Sequence, residues 1–109
     1  MAHNDMHVVI YKILSYLYEC MKIGVNPSVR RVGASELGIP DDYWTQIVAQ
    51  LVERGYVSGV SVTRTTSGDV VNFSKPSVTL DGVEFLMENS MMGKAKTFLQ
   101  DVKATVPFI

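Results

Sequence analysis

Cysteine is nearly absent: Cys20 is the only one, so no intrachain disulfide can form and nothing suggests an oxidising compartment. A surplus of charge of either sign is missing too, since ten basic residues meet eleven acidic ones for a formal net charge of −1. A dedicated nucleic-acid binder usually carries a basic excess, because its affinity comes largely from displacing phosphate counterions. Any basic footprint here has to be local. No apolar run approaches the ~20 residues that span a bilayer. Met1 to His7 are polar and lack both the basic region and the apolar run of a signal peptide. The expected setting is the cytoplasm, with no membrane partner.

Motifs of catalysis and cofactor binding are missing as well. Gly55-Tyr56-Val57-Ser58-Gly59 has two glycines but follows a helical pattern, whereas a phosphate cradle opens a helix after a strand. The Asp41-Asp42 pair sits at a helix start, where the helix dipole explains it without acid–base chemistry. His3 and His7 are four apart, but a metal site needs a third or fourth ligand and Cys20 is more than three turns away. Cys20 itself falls near an apolar stripe, where cysteine behaves as a small inert hydrophobe. Tyr16 and Tyr18 are two apart and cannot share a helix face, and Trp44 falls on an apolar stripe, so no base-stacking platform forms. The expectation is a protein that binds rather than reacts, with no enzyme site, cofactor, metal or small-molecule ligand.

What the sequence does have is apolar content, 47% over 109 residues, with mixed charges and no low-complexity tract. That suits one folded domain over 1–109, with 1–5 as a flexible N-terminus. Ile10, Ile13, Leu14, Leu17 and Met21 recur at helical spacing and predict a helix from about Met6 to Ile23 with one buried stripe. Asn4 or Asp5 would cap its start, and Gly24 with Asn26-Pro27 would end it. Ser35-Glu36-Leu37 fits one or two helical turns before Gly38. A further helix follows from Pro40 or Asp41 to about Arg54, striped by Trp44, Ile47, Val48 and Leu51 and stopped by Gly55.

The period then changes. Tyr56 to Thr63 alternates and is rich in β-branched residues, Thr66-Ser67-Gly68-Asp69 carries turn chemistry, and Val70 to Phe73 returns as a second strand that Lys75-Pro76 should break. Val78-Thr79-Leu80 can begin as strand, with Thr79 capping a helix that runs to about Asn89. A last helix is expected from Met91 to Val106, ended by Pro107. The fold class expected is α+β, mainly helical: a winged helix, which is a helix-turn-helix with a β-hairpin wing, plus C-terminal helices.

Three blocks carry a family resemblance. Leu37-Gly38-Ile39-Pro40-Asp41-Asp42-Tyr43-Trp44, then Leu51 to Val60, then Val78-Thr79-Leu80-Asp81-Gly82-Val83-Glu84-Phe85-Leu86 with Met87-Glu88-Asn89 resemble the core of the YjcQ-like family. The resemblance covers roughly Met6 to the C-terminus. It implies a winged-helix-like fold in small bacterial and phage-associated proteins, no assigned enzyme activity, and regulatory binding. Thr79, Gly82 and Leu86 fit a cap, a close helix contact and a core anchor, roles that serve the fold.

Two binding surfaces are candidates. Subtracting the apolar stripe of the Asp41–Arg54 helix leaves Asp42, Thr45, Gln46, Ala49, Gln50 and Glu53 facing outward. Glutamine can pair bidentately with adenine, so Gln46 and Gln50 are candidate readers of double-stranded DNA, while Asp42 and Glu53 would repel phosphate. Arg30, Arg31, Arg64 and Lys75 are candidate phosphate contacts, with Arg54 a further local cation. The second surface is the 90–109 segment, where Met91, Ala95, Phe98, Leu99 and Val102 share a face suited to a homodimer or partner contact. Two readings follow: a phage or prophage-type DNA-binding or transcription-regulatory module, or a protein-interaction module of the same fold that binds no DNA.

Overall fold

The computed structural model describes residues 4–89. The expected helix over 91–106, with its contact residues Met91, Ala95, Phe98, Leu99 and Val102, lies outside the described residues, as does His3.

Helix α1 spans Met6–Ile23 and buries Val9, Ile10, Ile13, Leu14, Leu17 and Cys20. Gly24 ends it in the left-handed conformation (φ 76°), and the Val25 amide returns to the Cys20 carbonyl at 3.0 Å. One expectation needs refining here and one needs correction. Asp5 is the N-cap residue, as the sequence allowed, but its side chain makes no cap hydrogen bond; its backbone carbonyl starts the helix, accepting from the Val9 amide at 2.9 Å. Met21 is 44% exposed and not part of the buried stripe. It lies in the last turn, where the core runs out, and its sulfur accepts a hydrogen bond from the Val78 amide at 3.2 Å. Cys20 takes the inward position instead.

A short 3₁₀ turn, Val29–Val32, precedes α2, Ala34–Leu37, which Gly38 stops at φ 70°. Helix α3, Asp41–Glu53, begins after Pro40 with two aspartates in its first turn, where they face the positive end of the helix dipole. Ile47, Val48 and Leu51 point inward.

Strands β1 (Val57–Thr65) and β2 (Gly68–Val78) form a two-stranded antiparallel sheet. Thr65 pairs with Gly68, so Thr66-Ser67 is the whole turn, and the Thr65 hydroxyl donates to the Gly68 carbonyl. Contrary to the sequence expectation, Lys75-Pro76 does not end β2. Ser58 pairs with Ser77 and Val60 with Phe73, so Gly59 alone lies opposite Ser74, Lys75 and Pro76. Proline has no amide to give a ladder, and the bulge demands none of it. Lys75 takes a positive φ of 55° there. A Cβ on Gly59 would lie 2.4 Å from the Ser74 and Lys75 carbonyl oxygens, so only glycine lets the two strands approach this closely.

Burial falls along the hairpin: Val57 and Val78 at its base are buried, Val60 and Phe73 are half-buried, and the residues at its tip are exposed. Helix α4, Leu80–Glu88, follows at once, with the Thr79 hydroxyl accepting from the Gly82 amide at 3.2 Å. Residues of α1, α3, the hairpin base and α4 form one buried cluster centred on Leu14 and Ile47, both fully enclosed. The architecture is α+β and mainly helical, with an element order compatible with a winged helix. Among the described residues, no helix is long and apolar enough to cross a membrane.

At Gly82 α4 comes close to the hairpin base: a Cβ there would meet the Tyr56 carbonyl oxygen at 2.4 Å and Val78 Cγ1 at 2.6 Å. Backbone cannot move aside cheaply. Gly82→Ala is therefore expected to lower stability by about 1–3 kcal/mol despite alanine's better helix propensity. Urea unfolding measures it, and an unchanged or raised midpoint would show that α4 can shift without cost.

Candidate nucleic-acid interface

The outward face of α3 and the outer part of the hairpin border an open groove of about 460 Å³. Gln46, Ala49, Gln50 and Glu53 form the α3 wall, Val62 and Arg64 come from β1, and Asp69 from β2. The helical period puts positions 46, 49, 50 and 53 on one face once Ile47, Val48 and Leu51 are turned inward. Strand alternation does the same for Val62 and Arg64, two residues apart on one side of β1. Asp69 joins them because the two-residue turn makes it the cross-strand partner of Arg64.

The six proposed DNA-contact residues thus divide. Gln46, Gln50 and Arg64 line one groove. Arg30 and Arg31 sit apart from its lining, exposed on the 3₁₀ turn. Lys75 is exposed in the bulge, away from the hairpin tip. None of these four cations makes an ion pair among the described residues, in contrast to Lys22, which meets Glu19 at 3.0 Å. The groove is not uniformly basic, however, as Glu53 and Asp69 share it with Arg64. Arg54, at the end of α3, lies beside His7, Tyr56 and Phe85 on a different concavity.

Sequence reasoning missed the residues that hold these groups in place. Trp44, assigned to the buried stripe, is half-buried and donates its indole N–H to the Val32 carbonyl at 2.7 Å, tying the Arg30/Arg31 turn to α3. The Tyr16 hydroxyl accepts from the Ser28 amide at 2.9 Å and holds the start of the same turn to α1. Tyr43 donates to the Asn4 carbonyl at 2.7 Å, joining the beginning of α3 to the chain before α1. An aromatic residue with a polar tip at the edge of an apolar stripe was the available signal, but its partner is set by tertiary packing.

His7 stacks on Phe85, with ring centroids 6.1 Å apart and planes inclined by 15°. Among the described residues, no group of three or more His, Cys, Asp or Glu is placed to hold a metal ion. An apolar void lined by residues including Trp44, Val57 and Phe73 measures about 20 Å³, too small for an organic ligand.

The family model described as YjcQ protein matches residues 11–105, and the chain belongs to the YjcQ family. No curated protein and no solved structure matches the chain.

Trp44→Phe keeps the ring but leaves the Val32 carbonyl without its donor. A loss of about 1 kcal/mol in stability is expected. Hydrogen exchange should quicken at the Arg31 and Gly33 amides, whose bonds to Ser28 and Arg30 close the turn. Unchanged exchange at both would show that Trp44 does not position Arg30 and Arg31.

Proposed function

We propose that the chain is a winged-helix module that binds double-stranded DNA in the cytoplasm and catalyses no reaction, a regulatory protein of the phage or prophage kind that the family resemblance implies. In this reading α2 and α3 are the helix-turn-helix, α3 enters the major groove, and the hairpin is the wing. The convergence of Gln46, Gln50 and Arg64 on one groove carries the proposal. Two glutamines one helical turn apart stand about 6 Å along the helix axis. That is close to two base steps of ~3.4 Å each, so the pair can address two adenines with one base between them. Arg64 would rest on a phosphate beside them, while Arg30, Arg31 and Lys75 would add contacts that position the module without reading sequence.

A second reading is favoured by one observation: Glu53 and Asp69 line the same groove. Two carboxylates against one guanidinium suit a basic protein segment better than a phosphate backbone. On that reading the chain is a protein-interaction module of the same fold.

Anisotropy titration of a mixed-sequence labelled duplex at low salt and again at roughly 200 mM separates the two. The DNA-binding reading expects binding at low salt that weakens by roughly a hundredfold between 50 and 200 mM. Arg64→Ala should then weaken binding across all sequences and reduce the salt slope by about one. Gln46→Ala with Gln50→Ala should instead cost about 1–3 kcal/mol for each lost base contact on a preferred site and leave the slope alone. No binding at low salt would defeat general duplex affinity and favour the protein-interaction reading.

A further inference from the structure

Part of the apolar surface left over by the core lies on α4. One line of this helix, Gly82, Phe85 and Leu86, is buried. A second line, Leu80, Val83 and Met87, follows the same three-and-four spacing, and its ends are open: Leu80 is 75% exposed and Met87 71%. Val83 and Met87 form one wall of a groove whose other wall includes Tyr11 and Tyr18 of α1. Ser15 and the Glu19–Lys22 ion pair edge the same groove, and exposed apolar area of the kind that Val83 and Met87 bring to it marks a surface that something covers.

We propose that residues 91–106 of the same chain pack into the α1–α4 groove. Three observations converge on that occupant. The first is position: α4 ends at Glu88, so the segment starts within a few residues of Met87. The second is pattern and reach. Met91, Ala95, Phe98, Leu99 and Val102 recur at helical spacing, and at a helical rise this segment extends about 24 Å, close to the ~27 Å of α1. The third is charge. Helix α4 carries Asp81, Glu84 and Glu88 and no basic residue, whereas the segment carries Lys94, Lys96 and Lys103 against Asp101.

A second copy could offer the same apolar face, but the tether decides between them. A segment joined by a few residues has an effective concentration in the millimolar range, above any ordinary concentration of a second chain. The groove lies on α1 and α4, not on the α3–hairpin side, so the proposal stands independently of DNA binding.

Hydrogen exchange on the full chain tests it, read segment by segment and at two protein concentrations a hundredfold apart. Amides within 91–106 should be protected equally at both concentrations. Leu80→Asp with Met87→Asp should strip that protection at least tenfold while leaving α1 and α3 unchanged, as both side chains are mostly exposed in the described structure. If the double variant loses its fold, Phe98→Asp is read in its place, with the same loss of protection expected. An unprotected segment in the wild-type chain would overturn the proposal, as would protection that survives the substitutions. Protection that fades on dilution would assign the groove to a second copy and overturn it equally.

Discussion

Where α3 hands over to the hairpin and the hairpin hands over to α4, two stretches of backbone cross at Gly55-Tyr56 and Val78-Thr79. Two hydrogen bonds close that crossing, and a third, to the Thr79 hydroxyl oxygen, caps α4. The Thr79 amide donates to the Tyr56 carbonyl at 3.0 Å, the Thr79 hydroxyl donates to the Gly55 carbonyl, and the same oxygen accepts from the Gly82 amide at 3.2 Å. A two-stranded hairpin is barely stable by itself in water, so its direction has to be imposed from its base. Thr79 does this with one side chain, which both caps α4 and ties the returning strand to the end of α3. Gly82 completes the joint by allowing α4 to sit against the Tyr56 carbonyl, where any Cβ would intrude. The angle between α3 and the hairpin, and with it the groove holding Gln46, Gln50 and Arg64, is set at this point.

The bulge above that joint connects the groove to the rest of the molecule. An extra length of β2 opposite Gly59 bends the ladder and increases its twist, and the ladder resumes with Val60 opposite Phe73, both half-buried. Phe73 then meets Trp44, ring centroids 6.0 Å apart at 43°, and Trp44 reaches on to the Val32 carbonyl. A continuous run of contacts therefore leads from the hairpin through α3 to the turn that bears Arg30 and Arg31. Residues on two separate surfaces are carried by one frame, so their spacing is fixed even though they do not touch.

The helices were legible because their information is local. Apolar spacing marked α1 and α3, and Gly24, Gly38 and Gly55 all take the positive φ that a helix stop requires. The Thr79 cap was legible for the same reason. Lys75-Pro76 was misread because proline as a ladder breaker is a rule about one strand, while a bulge belongs to a pair and needs Gly59 opposite. Met21 was misread because periodicity tells which way a side chain faces but not where the core stops. At the site, Gln46 and Gln50 could be found by subtracting the buried stripe. That Arg64 and Asp69 would join them depends on strand register, and the turn expected over Thr66-Ser67-Gly68-Asp69 is shorter and earlier in the structure, with Thr65 opposite Gly68 and Asp69 already in β2. The separation of Arg30, Arg31 and Lys75 from the groove depends on tertiary packing and left no mark on the sequence.

Charge sets the terms on which this groove could hold a duplex. Four cations, Arg30, Arg31, Arg64 and Lys75, at a slope of about −0.9 per phosphate would lose roughly a hundredfold in affinity between 50 and 200 mM salt. A protein making six to ten contacts loses ~10³–10⁵, so the electrostatic share here is small. Glu53 and Asp69 reduce it further, and they do so whatever the base sequence, because a carboxylate repels every phosphate alike. What remains has to come from base edges, where a good bidentate pair supplies about 1–3 kcal/mol of discrimination. A groove built this way gains little from sliding along arbitrary DNA. It either reads a particular site through Gln46 and Gln50, or it serves a partner whose basic side chains make Glu53 and Asp69 an attraction.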